Sequence, residues 1–232
     1  MDTYKTEEEQ VESLKKWMRD NGRHVLTGVL TVAVVVFGIY SWQQRQQHQS
    51  DAASVEYQSL VQAMRAVESN SSKETLATAN HLADTLKTDF SGTAYAQFAA
   101  LFKARLAVQE SDLAQAETEL RWVLDKKPSA DIKSLVQLRL ARVLHAKGDD
   151  EGALKLLDEN GAGSYAASFA ELKGDIALGR GDNNGARAAY ERAQELGRKM
   201  TAPNNGPLPN NPLLEMKLRD LQAGAEKVQE AS

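Results

Sequence analysis

From Val25 to Gln44 the chain carries no charged residue, and Val25 to Trp42 forms an apolar core of 18 residues. As a helix, at about 1.5 Å per residue, that core covers roughly 27 Å, the thickness of a bilayer's hydrocarbon layer. A strand of that length is excluded, because strands rarely exceed about ten residues. Trp17 lies upstream and Tyr40 and Trp42 stand where an interfacial aromatic belt belongs. The pattern predicts a transmembrane helix.

Downstream the continuous apolar run gives way to Val55, Leu60, Val61, Met64 and Val67 at helical spacing. No Gly or Pro occurs between Gly38 and Gly92, so the membrane helix is expected to run on into the first helix of the following domain. Ser71-Ser72-Lys73-Glu74 reads as a capping box opening a second helix through about Lys87. Helix-sized segments follow at about 92–109, 112–126, 130–147, 150–159, 164–180 and 183–199, separated by turn and cap residues such as Ser111-Asp112, Gly148-Asp149 and Gly181-Asp182.

These segments repeat. Leu140-Ala141, Leu144, Gly148, Ala153 and Leu157 are matched by Lys173-Gly174, Ala177, Gly181, Ala186, Tyr190 and Ala193, with 33 residues from Ala153 to Ala186. Ala104, Ala107, Ala116, Leu120, Val123 and Pro128 form an earlier copy, offset by 37. Small residues let paired helices approach, bulky ones fill the space to the next pair, and glycine supplies a turn conformation that other residues resist. These are tetratricopeptide-repeat positions, matched well over 135–193, less so over 94–128 and loosely over 51–88. The tryptophan and tyrosine of the first repeat helix are missing, so the repeats are divergent. The expected fold is all-α: one N-terminal transmembrane helix, then a tetratricopeptide-like α-solenoid of about four helix pairs with a C-terminal capping helix.

Pro203 to Pro212 holds four of the five prolines and four asparagines and reads as a linker. Leu213, Leu214, Met216, Leu218 and Leu221 then form a short amphipathic helix, with a frayed tail expected after Gly224. The expected divisions are a leader at 1–23, a signal-anchor at 24–45, the repeat domain at 46–202, the linker at 203–212, and the capping helix with its tail at 213–232.

Charge sets the expected direction of the anchor. Lys15, Lys16, Arg19 and Arg23 precede the span, whereas Arg45 alone follows it until Arg65. The positive-inside rule places the N-terminus in the cytoplasm and everything after Arg45 across the membrane. A cleaved signal peptide fits poorly: the apolar run is too long and the leader before it carries six acidic residues. Val11, Leu14, Trp17 and Met18 give the leader one apolar stripe. Three readings of it stay open: a stop for insertion, a helix lying on the inner membrane surface, or a dock for a cytoplasmic protein.

Composition narrows the chemistry. A net charge of −4 gives no nucleic-acid surface, and with no cysteine, disulfides, thiolate zinc sites and cysteine nucleophiles are excluded. His24, His48, His81 and His145 are scattered, none at metal-ligand spacing from another. Asp149-Asp150-Glu151 opens a helix, where acids cap free N–H groups. Asp182-Asn183-Asn184-Gly185 lacks the later ligands of a calcium loop. Gly161-Ala162-Gly163-Ser164 follows a helix rather than the strand a dinucleotide motif needs. No cofactor, metal or catalytic group is expected, and an enzyme is not.

What remains is surface. In this repeat class the first helix of each pair lines a concave groove, which by spacing would include Phe98, Leu101, Arg105, Val108, Leu135, Leu138, Arg142, His145, Glu171, Asp175 and Leu178. Apolar positions mixed with charge suit an extended peptide or a partner's helix. Equally, several of these residues would simply pack against a neighbouring pair or the capping helix.

The leader Val11-Glu12-Ser13-Leu14-Lys15-Lys16-Trp17 with Asn21-Gly22, a single anchor, Leu138-Arg139-Leu140-Ala141-Arg142-Val143, Gly174, Gly181-Asp182, Gly185-Ala186-Arg187 and Glu215-Met216-Lys217-Leu218 together resemble the ancillary SecYEG translocon subunits, the YfgM family of gram-negative inner-membrane proteins. The likeness spans essentially the whole chain, although the 203–212 linker is longer than the family pattern. It implies a single-pass inner-membrane protein with a periplasmic repeat domain beside the SecYEG channel. It also implies association with the periplasmic chaperone PpiD and a cytoplasmic contact with the response regulator RcsB. The implied role is a scaffold passing exported proteins to periplasmic chaperones; the alternative is a generic envelope-assembly scaffold in another inner-membrane complex. No binding residues carry over from the family.

Overall fold

The computed structural model describes residues 7–201 and 211–230, which form nine α-helices and two 3₁₀ turns. Most of the linker, 202–210, lies outside the described residues, as do 1–6 and 231–232. Two compact units divide the chain, Met1–Ala52 and Ala53–Ser232.

The described residues of the first unit are helical, as part of α1 (Glu7–Ser69). Its described apolar residues are largely exposed: Val34 is 71% and Phe37 72% exposed, and Leu26, Val29, Leu30, Ile39 and Trp42 are exposed as well. Each such side chain left in water forgoes about 1.5–3 kcal/mol of burial, so the stretch needs another apolar medium. Among the described residues, α1 holds the one segment long and apolar enough to cross a membrane. The hydroxyls of Thr27 and Thr31 donate to the carbonyls of Arg23 and Thr27 at 2.7 and 2.9 Å, which satisfies polar groups within the segment as lipid requires.

The second unit stacks helix pairs. The C-terminal part of α1 pairs with α2 (Lys73–Asp89), burying Ala53, Leu60 and Val67 with Ala79, Ala83 and Leu86. α3 (Ala94–Gln109) pairs with α4 (Leu113–Asp125), α5 (Ala130–Ala146) with α6 (Asp150–Leu156), and α7 (Ala166–Gly179) with α8 (Asn183–Thr201). α9 (Pro212–Glu230) packs on α8 and closes the stack. The architecture is the one expected.

The three later pairs turn in the same way. Ser111, Gly148 and Gly181 adopt left-handed backbone, with φ of 61°, 84° and 78°. The amides of Asp112, Asp149 and Asp182 then reach back five residues to the carbonyls of Ala107, Leu144 and Ala177, and each aspartate caps the next helix through the amide of Gln115, Gly152 or Gly185. One short turn thus satisfies the end of one helix and the start of the next. The second helices keep a common register: Ala79, Ala116, Ala153 and Ala186 are all fully buried, at spacings of 37, 37 and 33. The first pair, only loosely recognisable in the sequence, therefore shares the repeat's packing position.

Local boundaries differ in three places. The capping box of α2 sits one residue later than expected: Thr75 N donates to Ser72 Oγ at 3.2 Å, and Ser72 N to Thr75 Oγ1 at 3.0 Å, leaving Ser71 and Glu74 out of the exchange. α6 stops at Leu156 instead of 159, because the Asp158 carboxylate takes the Asn160 amide and starts a 3₁₀ turn, Glu159–Gly161. α9 continues past Gly224 to Glu230, since one glycine costs a helix only about 1 kcal/mol and good helix formers follow it.

Candidate partner-binding cleft

A cleft of about 390 Å³ opens between α3 and α5, the first helices of the second and third pairs. Leu101, Ala104 and Val108 of α3, Leu113 and Leu120 of α4, and Val143 and Ala146 of α5 form its apolar walls, with Arg105, Arg139, Arg142 and Gln109 also lining it. Alanine occupies the positions that seat each first helix on its partner: Ala104, Ala107 and Ala141 are buried there, while Arg105, Val108 and Arg142 stay exposed beside them. Val108 remains 46% exposed, an apolar residue of this size held at the surface.

Its electrostatics are one-sided. Arg105 Nη2 donates to Glu68 Oε1 of α1 at 2.7 Å, an exposed pair. Arg139 and Arg142 are exposed and have no carboxylate within ion-pair distance among the described residues. Exposed pairs contribute under about 1 kcal/mol, so the cleft keeps a cationic character.

Four of the residues expected in the groove, Leu101, Arg105, Val108 and Arg142, meet in this cleft. The others go elsewhere. Phe98 is half-buried against Tyr57, ring centroids 5.9 Å apart. Leu138 is buried in the core and Leu135 packs against it. His145 Nδ1 and Asp150 Oδ1 share a 2.6 Å hydrogen bond. That bond, followed by a second from Arg180, holds the Asp150 carboxyl below its ordinary range. Leu178 stays exposed, apart from the cleft. Glu171 and Asp175 face the capping helix: Lys217 Nζ donates to Glu171 Oε1 at 3.0 Å and to Asp175 Oδ1 at 2.6 Å, and Asn211 Nδ2 to Glu171 Oε2 at 3.1 Å. For these two the packing alternative is what occurs. Arg139 was missed, although it stands one turn before Arg142 on the same face of α5, a three-residue spacing readable from the sequence.

Among the described residues no group of three or more histidine or acidic side chains is placed to hold a metal ion. The arrangement offers contact surface: an apolar slot with guanidinium groups able to take carboxylates in two-pronged fashion.

The chain matches the tetratricopeptide repeat-like domain family over residues 15–223. A protein of Haemophilus influenzae called ancillary SecYEG translocon subunit is 32% identical to it, the match covering 84% of this chain and 91% of that one. The Escherichia coli (strain K12) protein of the same name is 30% identical over 82% of this chain and 88% of its own. That of Aggregatibacter actinomycetemcomitans is 29% identical, over 82% and 89%. No solved structure matches the chain.

Proposed function

We propose that this chain, which belongs to the ancillary SecYEG translocon subunits and carries their tetratricopeptide repeat-like domain, works as a membrane-tethered scaffold beside a Sec translocon, linking exported proteins to periplasmic chaperones. The observation that carries the reading is the wholly exposed apolar length of α1 on the same chain as a repeat domain with an open cleft. A tether in the bilayer confines the cleft within nanometres of the channel exit, so weak contacts suffice, because effective concentration replaces affinity.

In this reading the N-terminus is cytoplasmic, as the cations at Lys15, Lys16, Arg19 and Arg23 favour, and the unit from Ala53 onward is periplasmic. A chaperone of the PpiD type is the partner on that side. A response regulator of the RcsB type would meet the leader stripe of Val11, Leu14, Trp17 and Met18, all exposed on α1.

Affinity purification of the full-length protein from solubilised inner membranes tests the core of this reading, with SecY, SecE and SecG expected together with a periplasmic chaperone. Recovery of another envelope complex without Sec components overturns it in favour of a general assembly scaffold. Protease treatment of spheroplasts is expected to digest the repeat domain, and deletion of residues 2–20 is expected to remove the cytoplasmic partner alone.

A further inference from the structure

Two positions one turn apart recur in three of the first helices: Leu101 and Arg105 in α3, Leu138 and Arg142 in α5, and Glu171 and Asp175 in α7, at the repeat spacings of 37 and 33. In α7 both are carboxylates, and the next helix in the stack answers them with a cation, Lys217. Beside that lysine, Leu214 is buried against Ala170, Ala186 and Tyr190. An apolar residue and a charge three positions later, on one face of a helix, thus satisfy this step of the stack.

At the α3–α5 step the first position is leucine and the second arginine; Arg105 has an exposed pair with Glu68 of α1, while Arg142, with Arg139 one turn before it, has no carboxylate within ion-pair distance among the described residues. Arg105, Arg139 and Arg142 line one cleft, whose floor is formed by the apolar side chains of Leu101, Leu120 and Val143. We propose that this cleft binds an acidic, amphipathic segment of a partner protein, with an apolar side chain entering the slot and a carboxylate one turn away pairing with Arg139 and Arg142. The segment is the charge-inverted counterpart of the Leu214–Lys217 face of α9. The volume of about 390 Å³ lies within the roughly 300–1,000 Å³ of sites that engulf a ligand group. Helix-in-groove recognition with arginine-read carboxylates is the mode the residues fit. This assignment rests on the scaffold reading above and names the chemistry of its binding surface.

The test uses the full-length protein in phosphatidylcholine nanodiscs and a fluorescein-labelled fourteen-residue peptide with leucine and glutamate at helical spacing. Two control peptides replace every glutamate by lysine or every leucine by serine. By fluorescence anisotropy the glutamate–leucine peptide binds at least about tenfold more tightly than either control, and salt weakens it. The double variant R139E/R142E loses that preference and favours the lysine peptide, with an unchanged thermal melt; R139Q/R142Q, a milder pair that loses the glutamate peptide alone, serves if the charge reversal unfolds. Equal binding of the acidic and basic peptides, or undiminished binding by the variants, overturns the proposal. So does release of the peptide in phosphatidylglycerol nanodiscs, which would assign the cleft to anionic lipid. SecY recovery is scored on the wild-type protein separately: its absence rejects the translocon reading, while the peptide data alone judge the cleft.

Discussion

Tyr190 of α8 lies against the bare backbone of Gly174 in α7, so close that a methyl group on Gly174 would stand 2.3 Å from the ring's Cε1. The ring is fully buried, and its hydroxyl donates to Asp175 Oδ1 at 2.8 Å. Burial, then that bond to a carboxylate, push the phenol well above its ordinary range, so it stays a donor. Lys217 Nζ meets the same carboxylate oxygen and stands 5.4 Å from the ring centroid. One glycine therefore lets α7, α8 and α9 share a single anchoring point. Gly174→Ala is expected to destabilise the repeat domain by about 1–3 kcal/mol through overpacking, read as a lowered thermal midpoint of the full-length protein. An unchanged midpoint would mean the Tyr190 ring can move aside.

The left-handed turn residues give a prediction of opposite sign. Ser111 holds the backbone that glycine holds at Gly148 and Gly181, and its side chain makes that conformation cost about 1 kcal/mol. Ser111→Gly should stabilise by a few tenths to about 1 kcal/mol, less than the full strain because glycine also loosens the unfolded chain. Gly181→Ala should destabilise by a similar amount. Parallel melts of the two variants check both signs, and a stabilising Gly181→Ala would contradict the account.

Glu119 is the third case. It is 2% exposed, accepts from Lys87 Nζ at 2.5 Å and from Gln115 Nε2 at 2.9 Å, and has Lys103 at 3.6 Å, so it joins α2, α3 and α4. Glu119→Ala leaves two lysines facing a carboxylate that is gone, an expected loss of about 3 kcal/mol. Asp84→Ala breaks a pair of similar length to Lys103, but Asp84 is 53% exposed, and the expected loss is under about 1 kcal/mol. Denaturation midpoints that fail to separate the two variants would refute the burial argument.

Stability should fall at both ends of the pH scale for separable reasons. Burial alone would lower the pKa of Lys217, but its bonds to Asp175 and Glu171 outweigh that and raise it. A raised folded value means α9 is held fully below the unfolded lysine value, about 10.4, and is released as pH climbs through the folded one. Hydrogen exchange within α9 should accelerate there, and Lys217→Gln should show fast exchange already at neutral pH.

At the acid end the direction reverses. Lys147 and then Arg121 hold Glu117 below its ordinary value, and the Lys147 contact ties α4 to α5. A depressed folded value contributes stability above the unfolded value, about 4.3, and that contribution is lost as pH falls through the folded one. Glu117→Gln should flatten part of the acid limb of a stability–pH profile; a limb of unaltered slope would count against this pairing.

The sequence by itself determined the elements, because their signals are local. An uninterrupted apolar run long enough for a bilayer, Ser-Asp or Gly-Asp at the turns, and Ala153 and Ala186 one repeat apart all depend on neighbours within a few residues or on one fixed spacing. What stands opposite a given first-helix face depends on which helix packs there, and only the tertiary structure decided that. Arg142 and Asp175 occupy one repeat position, and nothing along the chain separates their fates. α9, from beyond the proline-rich segment, brings Lys217 to Asp175, whereas no helix brings a carboxylate to Arg142 among the described residues, and the cleft it lines holds Arg139 as well. Opposite charges hold one step of the stack together, while the other keeps an open slot with two unpaired arginines at its edge. That difference is set by partners distant in sequence, beyond the reach of any helical period.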